Sequence, residues 1–210
     1  MREIVNYLAH LYLAGESPES LLGNLLADFV KAPLSSLDDL GFREGVELHR
    51  RIDRFTDAHP AFIHSRSLFS AARRRAAPAL GDIFYDHFLA RDWERYSDLK
   101  LMEFLKEATQ RMEDARDAVP DAVQPMVDRI LPVYWLAGYG SLYGVRISVD
   151  RLAQRRRPGL GLLGGAEELE ANYEAFEADF RRLFDDLCLF VRETALPAAM
   201  IELAVSPNDC

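Results

Sequence analysis

The chain holds only two cysteines in 210 residues, Cys188 and Cys210, and neither belongs to a C-x-x-C pair. This argues against a disulfide framework and for a reducing cytoplasm as the expected compartment. No apolar run approaches the ~18 residues of a membrane span, so no membrane association is expected. The first residues, M-R-E-I-V-N-Y, carry charge too early for a secretory leader, and His10 and Glu16 interrupt the apolar stretch after them. Positive charge is scarce as well: 25 Lys and Arg face 34 Asp and Glu, for a formal net charge of −9. A general nucleic-acid binder needs a basic face, so no nucleic-acid partner is expected. Glycine (12) and proline (10) are too few for a fibrous or disordered chain. Histidine is absent after position 87.

What is present is helical period. With 49 % hydrophobic residues, a chain of this length can bury the core of one domain. Apolar offsets of three and four predict helices over about 2–14, 18–30, 43–56, 60–75, 100–117, 121–138 and 166–192. Ser17 reads as an N-cap followed by Pro18, and Asp82 as the N-cap of another helix through Leu89. Gly138, Gly140 and Gly144 predict a flexible passage. No strand alternation and no repeat is found. The expected fold class is all-α: a single compact helical domain over 1–203, with a frayed tail over 204–210.

The five histidines, His10, His49, His59, His64 and His87, all fall in the first 87 residues, with carboxylates close by. Mixed imidazole and carboxylate chemistry suits a borderline-to-hard divalent metal. On helices, His49 and Asp53 share a face, as do Asn6 and His10, and Asp82 and Asp86. Asp28 stands alone among apolar neighbours, where an unpartnered carboxylate would cost several kcal/mol, so it should face a cation or a hydrogen-bond donor. The predicted metal ligands are Asp28, His49, Asp53, Asp86 and His87, with His10 and Asp57 in second place. Arg50 and Arg51 are candidates to hold a phosphate through a guanidinium fork. Each feature has a plainer reading. A single histidine beside an apolar helix is more often a satisfied structural residue, and this applies most to His59 and His64. Arginine runs such as Arg73 to Arg75 and Arg155 to Arg157 are more often solvated faces. The joint occurrence on several helices favours a metal-dependent phosphoryl chemistry.

The segments N-Y-L-A-H-L-Y-L-A, L-L-G-N-L-L-A-D-F-V-K, H-R-R-I-D-R-F-T-D and D-I-F-Y-D-H-F-L-A-R-D-W, with the later Q-R-R-R-P, resemble the acyl-carrier-protein phosphodiesterase family. The resemblance covers nearly the whole chain. It implies a distorted, helical HD-hydrolase-like fold and a divalent metal, Mn²⁺ first, with Mg²⁺ or Fe²⁺ as alternatives. The implied reaction is hydrolysis of the phosphodiester that joins 4′-phosphopantetheine to a serine of holo acyl carrier protein. Asp86-His87 stands in the reverse of the usual His-Asp order, so ligands do not carry over by position. The implied partner is acidic, as is this chain, so a local basic patch is needed for docking. Arg155, Arg156 and Arg157 are the expected patch. The competing readings are a helical phosphohydrolase acting on a small nucleotide or phosphomonoester, and a non-enzymatic helical adaptor.

Overall fold

The computed structural model describes residues 6–15, 17–155 and 161–195, without the side chains of Arg155 and Ala195. Among the described residues all regular structure is helical: α1 (Tyr7–Leu13), α2 (Pro18–Leu26), α3 (Leu40–Ala58), α4 (Pro60–Leu68), α5 (Ala77–Arg91), α6 (Leu101–Asp114), α7 (Gln124–Ile130), α8 (Leu142–Arg155), α9 (Ala166–Ala171) and α10 (Tyr173–Ala195). Short 3-10 turns link them, including Ala27–Phe29 directly after α2 and Val133–Gly140 before α8. The all-α expectation is met. Among the described residues no helix is long and apolar enough to cross a membrane.

The central element is α5. Leu80, Ile83, Phe84, Tyr85, Phe88 and Leu89 are buried around nearly its whole circumference, as expected of a helix enclosed by others. Phe84 and Phe88 meet Phe176 and Phe180 of α10, each ring pair 5.2–5.7 Å apart. Full burial of each such ring contributes about 1.5–3 kcal/mol. On the other side α5 packs against α1 and the Val133–Gly140 turn.

The pair that carries the site is α2 and α3. Ser17 caps α2 by accepting from the Ser20 amide, as the sequence predicts. Asp39 caps α3, accepting from the Phe42 amide at 2.7 Å. The buried stripe of α3 is Phe42, Gly45, Val46, His49, Ile52 and Thr56, at helical spacing, so His49 lies on the core face. Gly23 and Gly45 let the two backbones touch. A Cβ at Gly23 would sit 2.1 Å from the Phe42 carbonyl oxygen, and one at Gly45 would sit 2.0 Å from that of Ser20. No other residue type permits that approach.

Several expected boundaries move. Asp82 is not an N-cap but lies inside α5, because Pro78 fits the first helical turn, where its missing amide costs nothing. The helix expected over 60–75 ends at Leu68, and the Ser70 amide and hydroxyl go to the Glu168 carboxylate. The glycine passage is helical rather than irregular. It holds the 3-10 turn and the start of α8, in which a Cβ on Gly144 would meet the Gly138 carbonyl. The long terminal helix is broken at Asn172, which separates α9 from α10. The tail expected over 204–210 lies outside the described residues.

Candidate metal centre

Three helices and one turn converge on a small polar site. The Asp86 carboxylate of α5 accepts from the amides of Leu8 (2.9 Å) and Ala9 (3.0 Å), holding the first turn of α1. One residue further, His10 points inward and is fully buried. Asn24 of α2 meets it twice: Oδ1 lies 2.9 Å from His10 Nδ1, and Nδ2 donates to the His10 carbonyl at 3.2 Å. From α3, His49 stacks on His10 with ring centroids 4.0 Å apart and planes 19° from parallel. Asp53, one turn beyond His49, lies 3.3 Å from His10 Nε2 through one oxygen and 3.3 Å from His49 Nε2 through the other. Asp28, in the turn after α2, lies 3.5 Å from His49 Nε2.

His10, His49 and Asp53 each offer an atom within 4.8 Å of the others, the one group of this kind among the described residues. Ligands about 2.1 Å from a shared ion stand roughly 3.0–3.4 Å apart, and the observed separations match. His10 Nε2 and both nitrogens of His49 are buried and lack hydrogen-bond partners. Buried polar atoms are normally satisfied, so orphans converging on a carboxylate mark a place for a cation. The imidazoles form the floor, with side chains 0 % and 3 % exposed. The carboxylates of Asp28 and Asp53, at 19 % and 27 %, form the side open to solvent. The residues present therefore fit a divalent metal.

The electrostatics agree. Burial would lower the pKa of His49, but the facing carboxylates of Asp28 and Asp53 outweigh it and raise the pKa to about 9. Burial and the neighbouring His49 push His10 below its ordinary value, against the pull of Asp53. Burial alone would raise Asp53, but the two imidazoles hold its carboxyl far below the usual carboxylate range. The carboxylates of Asp28 and Asp53 favour positive charge at the His49 imidazole.

The structure brings together Asp28, His49 and Asp53 and adds His10, which the sequence ranked second. It does not bring Asp86 or His87 to them. Both Asp86 oxygens are taken up by the α1 amides, and burial raises its pKa to about 8 despite those two bonds. His87 lies on the neighbouring face of α5, between the Tyr139 carbonyl (2.7 Å) and the Tyr173 hydroxyl (2.8 Å). Asp57 is one turn past Asp53 and outside the group. Arg50 reaches the Val30 carbonyl at 3.4 Å, beside the Asp28 turn, whereas Arg51 lies over the Phe190 ring at 5.7 Å. His59 and His64 pair with Asp186 (3.1 Å) and Asp179 (2.7 Å) of α10, as structural histidines do. The Arg155 side chain, Arg156 and Arg157 lie outside the described residues. Asn24 was missed in the sequence. The available signal was its place in L-L-G-N-L-L, one turn before Asp28.

The sequence profile of a family described as acyl carrier protein phosphodiesterase matches residues 5–187. Relatives bearing the name acyl carrier protein phosphodiesterase include one from Photorhabdus laumondii, 35 % identical over 182 residues, which covers 86 % of this chain and 91 % of the relative. One from Serratia proteamaculans is 35 % identical over 87 % of this chain and 95 % of its own. One from Escherichia coli is 33 % identical over 86 % and 94 %. No solved structure matches the chain. A match across nearly the full length of both partners leaves one conclusion: the chain belongs to the acyl carrier protein phosphodiesterase family.

Proposed function

We propose that the chain hydrolyses the phosphodiester between 4′-phosphopantetheine and the serine of holo acyl carrier protein, with a divalent metal held by His10, His49, Asp53 and Asp28. The observation that carries this reading is the convergence of two orphaned, buried imidazole nitrogens, His10 Nε2 and His49 Nε2, on Asp53 in a chain of this family. A bound divalent ion, Mn²⁺ before Mg²⁺ or Fe²⁺, supplies charge neutralisation at the phosphodiester and acidifies water. Arg50 binds a non-bridging phosphate oxygen through its guanidinium. It is favoured over Arg51, which covers Phe190 instead. Asp28, a carboxylate on the solvent side of the centre, takes up the proton of the attacking water. The water oxygen bonds to phosphorus, the bond to the serine oxygen breaks, and the proton taken up by Asp28 passes to that oxygen, so that the serine leaves as the hydroxyl. Apo carrier protein and free phosphopantetheine result, in the cytoplasm where the carrier works.

Docking falls to Arg155, Arg156 and Arg157. The segment just beyond them is anchored: Arg73 donates to the carbonyls of Gly161 and Leu163 and faces Glu168. The second basic run thus has one member committed to the fold, while Arg74 and Arg75 stay exposed beside that segment.

Intact mass measurement of holo carrier protein incubated with the chain and Mn²⁺ is the test. Loss of the phosphopantetheine mass, stopped by EDTA and restored by Mn²⁺, is expected. Full turnover after rigorous chelation overturns the metal. Cleavage of nucleotides with the carrier left intact overturns the substrate.

A further inference from the structure

Asn24 does more than fill the α2–α3 interface. We propose that it is a positioning residue that sets the tautomer of His10, so that Nε2 presents a lone pair to the metal site. The inference rests on the reading of this centre as a metal site. Asn24 is fully buried. Its Nδ2 donates to the His10 carbonyl, and this fixes which end of the amide faces the ring. The other end, Oδ1, can only accept, and it stands 2.9 Å from His10 Nδ1. Nδ1 must therefore carry the hydrogen, and the neutral ring bears its lone pair on Nε2. That atom is buried, has no hydrogen-bond partner and lies 3.3 Å from Asp53 Oδ1. A lone pair facing a carboxylate oxygen is repulsive unless a cation stands between them. The partner on the far ring nitrogen decides which nitrogen of a ligating histidine is free to bind. The fold holds Asn24 there because Gly45 packs on its backbone: a Cβ at Gly45 would stand 2.8 Å from the Asn24 nitrogen.

The test is equilibrium binding of Co²⁺ and Mn²⁺ to the full chain, followed by absorbance and calorimetry. Asn24→Leu keeps the branched shape and heavy-atom count and removes the acceptor. It is expected to weaken binding by roughly 10- to 100-fold, the usual cost of losing such a partner. Asn24→Asp restores the acceptor and is expected to bind as tightly as the wild type. A second measurement needs no variant: long-range ¹H–¹⁵N correlation of the wild type loaded with Zn²⁺. His10 should keep its proton on Nδ1 and show a metal-shifted Nε2. Unchanged affinity in Asn24→Leu, or a His10 ligated through Nδ1, overturns the role of Asn24 and leaves the metal centre standing. A wild type that takes up no divalent ion overturns both.

Discussion

The imidazoles of His10 and His49 lie face to face, with centroids 4.0 Å apart, and each turns its Nε2 toward a different oxygen of Asp53. Two cationic rings cannot share that geometry, since like charges at this range repel by several kcal/mol in a partly buried site. Their proton affinities are accordingly driven in opposite directions: His49 is pushed up and His10 down. The shared carboxylate and the stacking thus set the two imidazoles apart in proton affinity.

Asp28 is the residue whose loss should hurt chemistry without hurting the fold. It sits in a one-turn 3-10 element, is partly open to solvent and faces His49. Asp28→Ala is expected to cut turnover of holo carrier protein by at least about 100-fold, the scale of losing a positioned acid–base group. Its circular dichroism should remain that of the wild type. Near-normal turnover would remove Asp28 from the site.

Asp86 should behave in the opposite way. Asp86→Ala leaves two buried amides of α1 unsatisfied, at about 1–3 kcal/mol each. Urea unfolding should show a loss of about 4 kcal/mol, the middle of the range for two such amides. Metal affinity should fall only as far as His10 shifts with its helix. A variant of unchanged stability that has lost its metal would restore Asp86 as a ligand.

Acid stability should depend on Arg91. Its guanidinium lies 2.6 Å from Asp92 and 2.7 Å from Glu177, and it holds both carboxyls below their ordinary values. A carboxyl depressed by folding adds stability above the ordinary carboxylate range, near pH ~4, and loses it as pH falls through the folded value. Arg91→Met should therefore unfold at lower urea than the wild type at neutral pH, and the gap should narrow as the pH is taken below ~4. A gap independent of pH would mean that packing on Phe88 and Tyr173, not charge, is what Arg91 contributes.

Arg156→Glu with Arg157→Glu should raise KM for holo carrier protein several-fold, with a smaller change in kcat, because rim charges act mainly on encounter. The difference from the wild type should shrink as salt is added. Equal loss on a small phosphodiester would assign these arginines to the catalytic centre. No loss on either substrate would leave Arg74 and Arg75 as the docking pair.

Periodicity alone determined the all-α class and the approximate course of α2, α3 and α6, since an apolar stripe of period 3.6 has one way to be buried. The pairing of His49 with Asp53 was equally local, being one helical turn. Ser17 and Pro18 marked the start of α2 because capping is settled by adjacent residues. Only the tertiary structure decided the rest. Asp86 and His87 adjoin in sequence, yet helix rotation sends the carboxylate to the α1 amides and the imidazole to Tyr139 and Tyr173. His10 enters the centre because α1 packs across α2, a contact between distant residues that no local pattern encodes. Gly144 reads as a breaker in isolation, but it belongs inside α8 because the Gly138 backbone occupies the place of its missing side chain. Local chemistry determines what each segment can be. Which polar groups meet depends on how closely the helices approach, and at this site Gly23 and Gly45 control that distance.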